Sequence, residues 1–157
     1  MQDRFIVLLR HGIAEPSGER PDEMRSLTPA GRRRMKEIAR TLARIFPEPD
    51  LLYSSPLLRC TQTAESIAKA YGKLSTTTTE ALRPDARPAE FSRLVHRTNE
   101  RRVIGVGHEP GLSALMRELT EIEGEFELKK GGCYGIRILE SGARLEWILP
   151  PRVLRNG

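Results

Sequence analysis

Phe5-Ile6-Val7-Leu8-Leu9-Arg10-His11-Gly12 is the stretch whose reading decides the architecture. The first part is an unbroken apolar run of strand-forming residues, as expected of a strand covered on both faces inside a helix-flanked sheet. Arg10, His11 and Gly12 end that run abruptly, so charged and titratable side chains stand where the strand stops. The same break argues against an export signal, which would pass from its apolar stretch into small residues. The run is also far too short to cross a bilayer, so the expectation is a cytoplasmic protein with no membrane segment.

Outward from this strand the pattern alternates. Thr28-Pro29 is a helix-start signal, after which Met35, Ile38, Ala39, Leu42 and Phe46 recur at helical spacing until Pro47. Residues 50–54 read as a second strand, and Cys60, Ala64, Ile67, Ala68 and Tyr71 mark a second helix closed by Gly72. Residues 76–79, β-branched throughout, predict a short third strand. Phe91, Leu94 and Val95 after Pro88 predict a third helix, and Val103, Ile104 and Val106 a fourth strand over residues 102–107. A fourth helix beginning near Pro110 carries Leu112, Leu115, Met116 and Leu119, and residues 132–139 and 144–149 form a hairpin through Ser141 and Gly142. The whole predicts an α/β fold: a three-layer αβα sandwich with a largely parallel central sheet. At 157 residues, 38% hydrophobic and 30% charged, with no repeat, linker or low-complexity tract, residues 1–157 fit a single domain rather than a disordered chain.

The formal net charge of +5 favours anionic partners, but only 5% of residues are aromatic. That scarcity disfavours nucleic-acid binding by base stacking. Arg32, Arg33, Arg34 and Lys36 fall among apolar residues at helical spacing and read as a solvated helix face. Cys60 and Cys133 lie in no metal-ligand or redox spacing and read as reduced packing residues.

In open α/β sheets the loops leaving the carboxyl ends of the strands build the ligand site. Those loops carry Arg10-His11-Gly12, then Ser54-Ser55-Pro56-Leu57-Leu58-Arg59, then residues 80–85, then Gly107-His108-Glu109-Pro110-Gly111. If they share one sheet edge, His11, His108, Arg10 and Arg59 face a common cationic pocket suited to phosphate, whose oxygens match the arginine fork. A single histidine at a strand exit more often fills a loop or caps a helix; a pair of them, each beside glycine, reverses that reading. No HExxH motif or His/Cys cluster is present and the arginines would repel a cation, so no metal and no cofactor are expected. Neither Ser54 nor Ser55 lies in a GxSxG elbow, which disfavours acyl transfer.

These segments, with Leu27-Thr28-Pro29-Ala30-Gly31 opening the first helix and Cys60-Thr61-Gln62-Thr63-Ala64 following Arg59, together resemble the histidine phosphatase superfamily. The resemblance runs from Phe5 to beyond Leu119 and implies a phosphoglycerate mutase-like fold. The short chain looks most like the SixA-type branch, whose characteristic substrate is phosphohistidine. Ile13-Ala14 stands where the mutase-like branch carries threonine, which weakens that alternative.

The resemblance implies that His11 attacks phosphorus and carries a transient phosphoryl group, while Arg10, Arg59 and a protonated His108 hold the phosphoryl oxygens. The attacking nitrogen must be unprotonated, so a backbone carbonyl is expected to fix the His11 tautomer. Arg25 is a further candidate for reaching the phosphate. Glu109, Glu80 and Asp85 are candidates for a general acid, although each also reads as a surface carboxylate. The implied partner is a phosphorylated protein, such as a histidine phosphotransfer or carrier protein, or a small phosphate ester. The alternatives are a broad phosphomonoesterase acting on small metabolites or phosphoserine, and a non-catalytic phosphoprotein-binding module.

Overall fold

A computed structural model describes residues 3–18 and 20–157. The initial apolar run is β1 (Arg4–Arg10), followed by α1 (Pro29–Ile45), β2 (Leu51–Ser54), α2 (Leu58–Tyr71), β3 (Thr76–Thr78) and α3 (Pro88–Arg97). Then come β4 (Arg102–Gly107), α4 (Gly111–Thr120), β5 (Cys133–Leu139), β6 (Gly142–Leu149) and α5 (Pro151–Arg155). The strands form a single sheet in the order β3-β2-β4-β1-β5-β6. β1, β2, β3 and β4 pair in parallel, whereas β5 and β6 are antiparallel additions beside β1. The sheet is therefore mixed, with its parallel half carrying the loops that matter for the site.

The continuous hydrophobicity of β1 follows from its place between β4 and β5 with helices on both faces. Phe5, Val7 and Leu9 point to one side, where they pack with Met35, Ile38 and Leu42 of α1 and Ile67 of α2. Ile6 and Leu8 point to the other, into a core with Phe91 and Val95 of α3 and Leu112, Leu115 and Met116 of α4. This is the three-layer sandwich the alternation predicts.

Local chemistry sets the helix starts. The Thr28 hydroxyl accepts from the Gly31 amide at 2.9 Å, and Pro29 supplies a fixed φ in the first turn of α1. Gly31 is required there, since a Cβ would stand 2.2 Å from the Ile13 carbonyl oxygen. That close approach holds the loop after His11 against α1. At the end of α2, Gly72 takes a φ of 88°, a conformation a β-carbon would strain.

Several boundaries differ from expectation for physical reasons. Thr79 lies outside β3 and its hydroxyl accepts from the Ala81 amide, capping a 3-10 turn over Glu80–Leu82. β3 itself is wholly exposed because it is an edge strand paired with β2 alone. β6 starts at Gly142, lengthening the hairpin. α5 was not expected at all: its single turn is too short for a period to register, and it docks by the Thr41 hydroxyl donating to the Leu154 carbonyl at 2.5 Å. Cys60 and Cys133 are both free and buried, as packing residues are. No helix among the described residues is long and apolar enough to cross a membrane.

Candidate active site

Because β1, β2 and β4 are parallel, Arg10, Ser54 and Gly107 end at the same sheet edge. The backbone continues the ladder past the strands: the His11 amide donates to the Gly107 carbonyl at 3.1 Å and the Ser55 amide to that of Val106 at 3.0 Å. His11 and His108 are thereby brought together, their ring centroids 5.3 Å apart with the planes inclined at 60°. Arg59, in the first turn of α2, reaches both: its Nε lies 3.3 Å from His11 Nε2 and its Nη2 lies 3.5 Å from His108 Nδ1. His11, His108 and Arg59 are only 6%, 5% and 4% exposed, so their interactions are little screened by water.

The hydrogen bonds assign the ring nitrogens. His11 Nδ1 is 2.7 Å from the Gly12 carbonyl oxygen, which can only accept, so Nδ1 carries the proton and the Nε2 lone pair faces the pocket. The expected carbonyl is therefore present, and it belongs to the next residue. The Gly12 amide donates to the Thr63 hydroxyl at 3.1 Å, and that hydroxyl donates to the Arg59 carbonyl at 2.7 Å, tying the β1 exit to α2. His108 Nε2 is 2.8 Å from the Ser55 hydroxyl, leaving Nδ1 turned toward Arg59.

Both imidazoles are held neutral. Burial lowers the His11 pKa; the Gly12 hydrogen bond opposes that, while the charges of Arg59, Arg10 and Lys130 push it further, to about 4. His108 falls to about 3 through burial, then His11 and Arg59, against the opposing pull of Asp22. The protonated His108 expected during reaction therefore depends on the charge of the substrate, since the protein's own groups favour the neutral ring. A phosphate dianion among these groups would reverse the balance by stabilising the imidazolium.

Arg10 Nη1 donates to the Leu128 carbonyl at 2.6 Å and lies 3.8 Å from Glu127, which leaves its buried Nε without a protein partner. Arg25 acts at one remove: its Nε donates to Asp22 Oδ1 at 2.9 Å and its Nη1 to the Glu15 carbonyl at 2.7 Å. Asp22 in turn receives Arg59, through Nη1 to its carbonyl at 2.8 Å and Nη2 to Oδ2 at 3.2 Å. Burial is the largest single influence on the Asp22 pKa and raises it, but the Arg25 and Arg59 contacts together outweigh it and hold the carboxyl below its ordinary value. Asp22 opens a 3-10 turn over Asp22–Met24, too short for a sequence period to register; its spacing of three from Arg25 is the local signal.

The structure directs the candidate acids elsewhere. Glu80 and Asp85 both pair with Arg83 on the surface. Glu109, despite its place beside His108, accepts from the Ser113 amide at 2.8 Å, the Leu128 amide at 2.6 Å and the Ser113 hydroxyl. Its carboxylate joins the start of α4 to the segment before β5. Glu109→Gln is accordingly predicted to cost about 1–3 kcal/mol of stability, read as a lowered Tm, while changing rates alike for good and poor leaving groups. A selective loss on alkyl phosphates with an unchanged Tm would make it an acid after all. Among the described residues, no group of His, Cys, Asp and Glu side chains is arranged to hold a metal ion.

The sequence model of the histidine phosphatase superfamily (branch 1) matches residues 6–84. The chain belongs to the histidine phosphatase superfamily. A phosphatase activity follows from that membership, and the matched span carries Arg10, His11 and Arg59, with His108 lying beyond it. Among solved structures, the protein histidine phosphatase SixA complexed with tungstate is 24% identical, with 96% of this chain and 99% of that chain covered and a TM-score of 0.87. The putative phosphohistidine phosphatase SixA from Agrobacterium tumefaciens is 27% identical over 94% of this chain and 98% of its own, with a TM-score of 0.79. An uncharacterized protein of Picosynechococcus sp. is 29% identical over 138 residues, 84% of each chain. The fold of this superfamily member is SixA-like, and of the phosphoglycerate mutase-like class expected from its sequence.

Proposed function

We propose that the protein hydrolyses phosphohistidine on protein substrates through a covalent phosphoryl group on His11. The observation that carries this reading is the directed lone pair of His11 Nε2, held by the Gly12 carbonyl on one side of the ring and facing Arg59 on the other. On substrate binding, Arg59 Nε turns its proton from that lone pair to a phosphoryl oxygen, and the free Nε of Arg10 donates to another. His108 takes a proton on Nδ1 while Nε2–H keeps Ser55, becoming a cationic donor to the phosphoryl group.

The bond changes balance as follows. The Nε2 lone pair attacks phosphorus as the P–N bond of a phosphohistidine protonated on its other ring nitrogen breaks, so the electron pair leaves with a neutral imidazole. A water then attacks phosphorus, the Nε2–P bond returns its pair to His11, and the water's oxygen and protons depart in dihydrogen phosphate, which releases a proton to solvent. Leaving-group chemistry favours phosphohistidine over ordinary esters. An alkoxide needs a proton from a group of suitable pKa, whereas Glu80, Asp85 and Glu109 are engaged away from the histidines and Asp22 is held ionised by arginines. The P–N bond is more reactive and makes no such demand.

The test is a comparison of kcat/KM for a phosphohistidine protein with that for a panel of phosphomonoesters including phosphoserine. A preference of about 100-fold or more for phosphohistidine is expected. A preference for sugar or glycerate phosphates would replace this reading with a metabolite phosphomonoesterase, and tight phosphoprotein binding without turnover would replace it with a binding module.

A further inference from the structure

Beside the active site lies a groove of about 460 Å³ whose charged lining is entirely cationic: Arg34 of α1, Lys129 and Lys130 of the segment before β5, and Arg152 and Arg155 of α5. Ile13 and two prolines complete it, and no carboxylate lines it. Among the described residues none of these cations joins an ion pair, although Arg10, Arg25, Arg59 and Arg83 all do. Arg155 Nε is in addition buried without a hydrogen-bond partner. Like charges gathered from separate segments repel one another, so this concentration opposes folding unless an anion offsets it.

The groove adjoins the loop that leaves the active site: Ile13 lies two residues beyond His11, and Lys130 is near enough for its charge to act on the His11 imidazole. A smaller adjoining cavity shares Ile13, Arg34, Lys130 and Arg155 with it and reaches Gly12, whose carbonyl holds His11. The chain direction explains the arrangement: Ile13 follows the β1 exit, Lys129 and Lys130 lead into β5 beside β1, and α5 packs on α1. A protein substrate presenting its phosphorylated histidine to His11 would thus bring a neighbouring part of its surface over this groove.

We infer that this groove docks a carboxylate-rich surface flanking the phosphorylated histidine of a protein substrate, an inference that rests on the function proposed above. Charge complementarity selects an acidic partner, and the lining contains no aromatic ring on which a nucleic-acid base would stack. Arg34, Lys129, Lys130 and Arg152 are exposed, which suits a protein face better than a fixed small anion. Docking charges of this kind act mainly on encounter, raising kcat/KM in a salt-sensitive way.

The double variant Arg34→Glu/Arg152→Glu changes two exposed positions outside the catalytic cluster. It is compared with the unmodified protein on free phosphohistidine, on a phosphorylated histidine phosphotransfer domain with Asp and Glu around its histidine, and on that domain with those residues changed to amides. For the acidic domain kcat/KM is expected to fall at least about tenfold, carried by KM, with a flatter dependence on salt. Free phosphohistidine is expected to change less than about twofold, and the amide domain is expected to be a poor substrate for both proteins. Equal losses on free phosphohistidine and the acidic domain, or none on either, would overturn the docking site while leaving phosphohistidine hydrolysis intact. An oligonucleotide that binds through Arg34 and Arg152, with rates on the acidic domain unchanged by the double variant, would also overturn it. Failure of the unmodified protein to hydrolyse free phosphohistidine and both domains would instead remove the underlying function, a result the free-phosphohistidine arm identifies.

Discussion

His11→Ala is expected to lower kcat by at least about 10⁴-fold on every phosphorylated substrate and to abolish any phosphoryl group trapped on the protein by acid-free quenching. The magnitude follows from what is removed. His11 Nε2 is the imidazole nitrogen whose lone pair is fixed toward the arginine that would bind phosphate, and alanine offers no replacement. His108 does not substitute, because Ser55 occupies its Nε2 and, in the proposed reaction, its Nδ1 carries the proton donated to the phosphoryl group, which leaves no lone pair to attack. Stability should change much less than activity. The lost side chain is neutral, with a pKa lowered to about 4 by burial and neighbouring charge, so its removal strands no buried charge. A quenched reaction with labelled substrate locates the intermediate: label on His11 in the unmodified protein and none in the variant is the expected pair of results. Turnover above about 1% of the original in the variant, or label on His108, would refute the covalent route through His11.

The parts of this site legible in the sequence are those set by local pattern. A continuous apolar run can be assigned to a buried strand without knowing its neighbours, and the residue after it must then stand at a sheet edge; His11 and His108 were found in this way. That Arg10 pairs opposite Gly107, so that the imidazoles meet, is a matter of register, which no single strand encodes. Glu109 shows the limit most clearly. Adjacency to His108 suggested a chemical role, but the turn into α4 carries its side chain to the Ser113 and Leu128 amides, the latter far along the chain. Asp22 shows the converse: its partner Arg59 comes from the first turn of α2, distant in sequence, and neither residue's flanking pattern announces the contact. The cationic groove was equally invisible, since its charges come from segments that only the docking of α5 onto α1 assembles.

Arg59→Ala is expected to reduce kcat/KM by about 10³-fold or more and to weaken inhibition by inorganic phosphate, because one guanidinium serves several atoms of the site. It approaches His11 through Nε, His108 through Nη2 and Asp22 through Nη1 and Nη2. The variant should also have a displaced pH profile, whose direction follows from charge. Arg59 opposes protonation of both imidazoles, so without it both pKa values rise from about 4 and about 3 toward the ordinary histidine value. A protonated His11 has no lone pair for phosphorus, and the acid limb of kcat/KM therefore moves to higher pH. Asp22 moves the same way, having lost a cation that favoured its ionised form. Arg59→Lys separates the contributions: it should return the acid limb most of the way, since the charge is restored, but recover only part of the rate, since an ammonium cannot fork between phosphoryl oxygens. A kcat/KM within tenfold of the original, with the acid limb unmoved in the alanine variant, would show that Arg59 neither binds the phosphoryl group nor keeps His11 deprotonated.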